Sequence, residues 1–252
     1  MIDPKMLYPI KKGEFVILTA EEFNNAEYVT YGIYRCIITV TGNNKLFKIN
    51  IKHYYTHIDV NSAKQNKYKI KLIEDGKPNA LLYFRDKLIP GKELFGNYVD
   101  YLFPLKTQRV YGSKKLLICL WGGLSEGKYG KIYIDNDSTK IEEIWDSKEI
   151  IDIVPLSPYK TLIKTASKSN FFKTEFARIK PFIIAKGRQK IKQVIQPYIE
   201  DIKYIHTDGF IIPYKPKNLK TGDKIGDLKL EGYCENMFIK NVNNKTPKSE
   251  FK

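Results

Sequence analysis

Between Glu14 and Tyr83 apolar and polar residues alternate in short runs, GEFVILT, YGIYRCIITV, KLFKINI, YKIKLIED and NALLYF, each bounded by Gly, Asn or Lys clusters. Period-two alternation wets one face of a strand and buries the other, so the front of the chain is expected to be β-rich. EFNNAEYVT and HIDVNSAKQN read as connections, the second with one or two helical turns. From Leu94 the period lengthens toward that of a helix. RVYGSKKLLICLWGGL gathers its apolar residues into a dense stripe ending on Gly122 and Gly123, a helix stop. Strands return at KIYID, TKIEEIW and EIIDIVP. Residues 171–196 place Phe172, Phe176, Ile179, Phe182, Ile183 and Ile191 at helical spacing, with Pro181 expected as a kink or early break. Strands follow around 202–214 and 226–233, and the polar tail NNKTPKSEFK is expected to fray. The pattern is that of an α+β fold.

Composition adds direction. The chain has 252 residues, 42% of them hydrophobic, enough for one large domain or two small ones with a core. No apolar run approaches the roughly eighteen residues of a membrane span, and MIDPKMLYPIKKGEF lacks the apolar stretch of a signal peptide. The expectation is a soluble intracellular protein with no membrane partner. Cys36, Cys119 and Cys234 are widely separated and without CxxC spacing, which points to neither a disulfide framework nor a zinc site. Lys and Arg total 43 against 28 Asp and Glu, a formal charge of +15. A field of that sign favours polyanions, through faster encounter and counterion release.

Two stretches carry candidate chemistry. KYIHTDGFII, residues 203–212, reads as two apolar runs around a polar tip that exposes Asp208. YIDNDS, residues 133–138, holds two carboxylates but is followed by polar sequence rather than a returning strand, and reads as a surface turn. The cations Lys106, Arg109 and Lys114, read as lying on one helical face, suit a triphosphate, whose transfer depends on positioning and charge neutralisation more than on covalent work.

The order of these elements over about residues 90–232 resembles the palm and fingers of family B DNA polymerases, especially the protein-primed type of viruses, virophages and linear plasmids. The family's fingers motif runs Lys, three residues, Asn-Ser, one residue, Tyr-Gly. In KKLLICLWG, Lys114 stands at the lysine, Trp121 at the tyrosine and Gly122 at the glycine, while Ile118 and Cys119 replace Asn-Ser. The hairpin resembles the family's Tyr, one residue, Asp-Thr-Asp-Ser. Tyr204, Thr207 and Asp208 match, His206 stands at the first carboxylate and Gly209 at the serine.

By that resemblance Asp208 would ligate catalytic Mg²⁺, or Mn²⁺, which accepts a nitrogen neighbour more readily. Lys106, Arg109, Lys114, Trp121 and Gly122 would hold the incoming dNTP. Tyr204, Thr207 and Lys229, the last in IGDLKLE, would touch DNA. The family's other metal motif, Asp, two residues, Ser, one residue, Tyr-Pro, is not present. Asp59 in HIDVNSAKQ mimics its start, but Lys64 and Gln65 replace Tyr-Pro, and Asp59 reads as a loop acid.

The resemblance implies a DNA-directed DNA polymerase, truncated or split and impaired by itself, without exonuclease motifs. Its partners would be primer-template DNA, dNTPs and a terminal protein or companion polymerase segment. The implied layout is a β-rich palm-associated section at 1–90, a fingers-like region at 91–130, a palm with antiparallel sheet and metal hairpin at 131–240, and a tail at 241–252. Two other readings follow from the same residues: a non-catalytic basic DNA-binding remnant of such a polymerase, and a basic nucleic-acid-associated structural protein unrelated to polymerases.

Overall fold

The structure is a computed structural model describing residues 6–41, 46–135, 148–169, 171–206, 208–234, 237–241 and 244–247. In chain order its elements are β1 (Leu7–Pro9), β2 (Glu14–Val16), α1 (Ala20–Asn25), β3 (Gly32–Thr39), β4 (Tyr54–Thr56), α2 (His57–Gln65), β5 (Lys69–Leu72), β6 (Ala80–Leu82), β7 (Leu88–Pro90) and α3 (Gly91–Thr107). There follow α4 (Ser113–Gly123), β8 (Tyr129–Ile134), β9 (Lys148–Ser157), β10 (Lys160–Ser167), α5 (Lys180–Ile195), β11 (Tyr204–His206), β12 (Gly209–Ile211), β13 (Met237–Asn241) and β14 (Asn244–Pro247). The fold is mixed α+β with antiparallel sheets, as the sequence pattern indicates. Among the described residues no helix is long and apolar enough to cross a membrane.

The chain forms two compact units, Met1–Asn97 with Pro181–Lys252, and Tyr98–Lys180. The expected boundary near residue 130 therefore falls inside the second unit, and the front β section shares a unit with the late hairpin.

In the first unit the sheet order is β2-β6-β3-β4, with β5 also on β3, all antiparallel. Strand β3 alternates as its sequence requires. Gly32, Tyr34, Cys36 and Ile38 are buried, and the last three join Phe23, Tyr55, Val60, Ala63 and Leu72 in the core. Gly32 is needed for space, since a Cβ there would lie 2.5 Å from the Leu81 carbonyl oxygen.

Strands β5 and β6 meet β3 around Arg35. Its N–H donates to Asn79 O at 2.8 Å and its carbonyl accepts from Ile73 N at 3.0 Å, so residues 74–78 loop out. Fully buried Asn79 closes that gap. Its Oδ1 accepts from Leu18 N at 2.8 Å, and its Nδ2 donates to Leu18 O at 2.9 Å and Ile73 O at 3.2 Å. Asn79→Ala strands one backbone donor and removes two bonds to part-buried carbonyls, and is expected to lower stability by about 2–3 kcal/mol in urea titrations.

Several expectations are corrected locally. EFNNAEYVT begins inside α1, a helix started by a capping box of Thr19 and Glu22. Lys64 Nζ closes its other end on the carbonyls of Phe23, at 2.6 Å, and Ala26, and lies 5.0 Å from the Phe23 ring. KLFKINI is not a strand. Leu46 to Ile51 run irregularly because the Asn50 N–H is taken by the Tyr55 hydroxyl and the Asn50 side chain by Tyr54 O and Lys52 N. Lys45, TKIEEIW and the 136–138 part of YIDNDS lie outside the described residues.

Pro181 does not kink a helix. A 3-10 turn, Glu175–Ile179, precedes it, and α5 begins one residue before it, where proline has no intrahelical bond to lose. IGDLKLE does not form a strand. It bends through Gly226, at φ 88°, with Lys224 N on Asp227 Oδ2 at 3.0 Å, and keeps only an isolated bridge between Leu228 and Thr221.

In the second unit α4 precedes a three-stranded antiparallel sheet of order β8-β10-β9. Strand β10 is one the sequence pattern did not single out. Its centre is buried at Leu162, Ile163, Thr165 and Ala166, between two partners.

Candidate nucleic-acid and metal site

The late hairpin forms as its sequence suggests. Helix α5 runs through a 3-10 turn, Gln196–Tyr198, into β11, and β11 pairs with β12 in the register Tyr204–Ile211, Ile205–Phe210, His206–Gly209. Asp208 therefore sits in a two-residue connection, exposed, with no hydrogen bond or ion pair among the described residues. Thr207, the other connecting residue, lies outside them. The Tyr204 and His206 rings stack at 6.2 Å, so His206 packs along β11. Ile205 and Phe210 pack on the cluster of Ile191, Ile195 and Ile202, which fixes the hairpin to the end of α5. Lys229 is exposed in the irregular segment after the hairpin.

The cations expected on one helical face are distributed differently. Lys106 ends α3, with Nζ 4.9 Å from the Phe103 ring. Arg109 lies in the α3–α4 connection at φ 59°, its N–H on Lys106 O, and Gly112 at φ 80° precedes α4. These two left-handed residues split the expected helix, so only Lys114 stands on the same helix as Trp121 and Gly122.

Trp121 is 36% exposed, and Lys180 Nζ lies 4.8 Å from its ring while donating to Ser125 Oγ at 2.5 Å. Gly122 has open space where a Cβ would stand, so no neighbour demands glycine there. Lys106, Arg109, Lys114, Trp121 and Gly122 belong to the second unit; Tyr204, Asp208 and Lys229 belong to the first.

A further charged constellation lies in the first unit. Asp59 is not a loop acid but the third residue of α2, in a capping box with Thr56. Its Oδ2 accepts from the Thr56 hydroxyl at 2.8 Å and from the Thr56 N–H at 3.3 Å. Arg188 of α5 donates to both carboxylate oxygens, at 2.9 and 3.1 Å. One turn on, Lys192 Nζ is 3.3 Å from Ser62 Oγ, and burial holds its ammonium below the usual lysine range.

These residues line a shallow groove with Phe47, Lys48 and Gln189, whose enclosed part has room for about one water. The i, i+4 spacing of Arg188 and Lys192 is visible in the sequence. Their partners, some 130 residues earlier, are not. Arg188→Gln removes a two-pronged, partly buried ion pair and is expected to cost about 1–2 kcal/mol in a denaturant titration.

Metal chemistry finds no ready cage. Among the described residues no three His, Cys, Asp or Glu side chains stand close enough to hold an ion. Two-metal transfer needs carboxylates from separate segments, whereas among the described residues Asp208 has no second carboxylate beside it and Asp59 is engaged by Thr56 and Arg188. The described residues do not by themselves assemble a site for the Mg²⁺ or Mn²⁺ pair that the polymerase resemblance implies. No family model matches the chain, and neither a curated protein nor a solved structure does.

Proposed function

We propose that the chain is a DNA-binding protein of the family B polymerase kind, with templated nucleotidyl transfer as the reaction its palm hairpin serves. The observation that carries this reading is local. A helix with an amphipathic, cationic face runs into a tight hairpin whose tip presents one carboxylate, Asp208, free of any described partner. An acid left unpaired in a chain of charge +15 is available to a cation or to a substrate's own donors. Primer-template DNA, dNTPs and a terminal protein or companion segment are the proposed partners. Lys106, Arg109 and Lys114 are proposed for the triphosphate, Trp121 with Gly122 for the nascent base pair, and Tyr204, Thr207 and Lys229 for DNA.

The absence of a three-ligand cluster among the described residues favours a second reading, a DNA-binding remnant without catalysis. One experiment separates the two. Primer extension is measured with Mg²⁺ and with Mn²⁺ beside DNA binding at several salt concentrations, for the natural chain and for Asp208→Asn. Extension that Asp208→Asn abolishes, at unchanged DNA affinity, is expected for the polymerase. Salt-sensitive binding without extension, indifferent to Asp208→Asn, identifies the remnant. A chain that does not bind DNA at about 50 mM salt, where counterion release is strongest, excludes both.

A further inference from the structure

The β8-β10-β9 sheet of the second unit has two unlike faces. Along β8, Gly130, Ile132 and Ile134 turn one way, and Ile132 and Ile134 pack with Ile150 and Ile163. Tyr129, Lys131 and Tyr133 turn the other way and are exposed, the tyrosines by 58% and 53%. Phe171 meets the Tyr129 ring edge-to-face at 5.7 Å and holds it in place. The register sets Ala166, Lys164 and Leu162 of β10 directly beside these three residues. Ala166 and Leu162 are buried next to the rings, so this face has an apolar floor.

Charge on this face is specific. Lys164 is neutralised by Asp152 at 2.8 Å, and Glu149 lies opposite Ala166 on the far edge strand. Lys131 has no carboxylate partner among the described residues. Lys160 Nζ lies 5.4 Å from the centre of the Tyr133 ring, again without a carboxylate partner among the described residues. Asp135 follows the strand as a further acid among the described residues. Strand β8 is an edge strand, so nothing in the sheet covers its outer side.

We propose that this face binds a single-stranded nucleic acid, with bases stacked on Tyr129 and Tyr133 and phosphates held by Lys131 and Lys160. An apolar protein partner would bury the Lys131 ammonium without a counter-charge, which is costly. A nucleic-acid strand instead offers flat π-faces and anions in alternation, matching aromatic, cation, aromatic along one strand. The two tyrosines, four residues apart, are separated by about 13 Å. A duplex cannot use this surface in the same way, because its bases are already stacked inside. The inference stands on the sheet alone and does not need the polymerase reading.

The test uses the full chain and a fluorescein-labelled oligothymidylate, with a duplex of equal length as comparison. Tyr129→Ala and Tyr133→Ala are each expected to weaken single-strand binding about tenfold, and Tyr133→Phe to leave it within about twofold. Duplex affinity should change little. Lys131→Ala should lower the slope of log affinity against log salt by about 0.7. In the natural chain, a 5-iodouracil oligonucleotide irradiated on the protein is expected to cross-link to Tyr129 or Tyr133, a readout that needs no variant to fold. Cross-links confined to other residues overturn the proposal, as does equal loss of single-strand and duplex binding in the folded Tyr133→Ala chain. Primer extension and its loss in Asp208→Asn report on nucleotidyl transfer, whereas cross-linking at Tyr129 or Tyr133 reports on this face, so the two readings fail independently.

Discussion

Phe182→Ala is expected to lower the stability of the first unit by about 3–5 kcal/mol, a larger loss than either Asn79→Ala or Arg188→Gln should produce. Phe182 has no exposed surface and lies near the start of α5, where that helix meets the core. Its ring centre lies 4.6 Å from Tyr31, 5.6 Å from His57 and, edge-on, 5.8 Å from Tyr83. Removing it leaves a ring-sized void among three rigid side chains that cannot collapse, since Tyr31 is also tied by its hydroxyl to Leu7 O at 2.9 Å. Phe182→Leu should lose much less, because most of the volume is kept. Urea titrations of the three proteins measure the difference. A loss below about 1 kcal/mol for Phe182→Ala would mean that α5 is not anchored by this cluster.

The same cluster makes the fold acid-sensitive. His57, stacked on Tyr31 at 4.1 Å and with its Nδ1 facing the Gly32 N–H at 3.4 Å, is largely shielded from water. Burial drives its pKa down to about 4, outweighing the opposing pull of Asp59. An unfolded histidine titrates near 6.5. The folded state therefore resists the proton that the unfolded chain accepts. The stability present above about pH 6.5 is lost progressively as pH falls toward 4, by roughly 3 kcal/mol in all at about 1.4 kcal/mol per unit.

Carboxylates such as Asp75 and Asp152, whose cation partners hold them below the usual range, add their own losses at lower pH. His57→Phe isolates the histidine, because it keeps a ring and discards the titration. The natural chain should weaken more steeply than this variant between about pH 6.5 and 4.5. Parallel curves for the two would show that His57 is protonated in the folded protein at ordinary histidine pH.

Sequence patterning was informative where one short segment decides its own structure. Strand β3 shows its buried Gly32, Tyr34, Cys36 and Ile38 by simple alternation, and the hairpin around Asp208 shows its two apolar arms. It misled where a backbone hydrogen-bond partner comes from elsewhere. KLFKINI alternates like a strand but has no free strand edge to join, because Asn50 is already bound to Tyr54 and Tyr55. Lys106, Arg109 and Lys114 share helical spacing only if the helix continues, and the positive φ of Arg109 and Gly112 interrupts it; of the two, only the glycine announces itself in the sequence. The Asp59–Arg188 pair joins residues 129 apart, and no local pattern encodes such a meeting. The metal set implied by likeness is a relation among distant residues of the same sort.

Because the first unit is assembled from residues 1–97 and 181–252, residues 98–180 are an insertion in its sequence. During synthesis, the sheet around β3 emerges from the ribosome before α5 exists, so Tyr31 and His57 wait exposed while the intervening segment is translated. At 5–20 residues per second that interval is roughly 4–17 s, long compared with the folding of the second unit's local hairpins. The nascent chain therefore carries an uncovered aromatic patch through about a third of its translation, and a chaperone that holds such surfaces would meet it in that window.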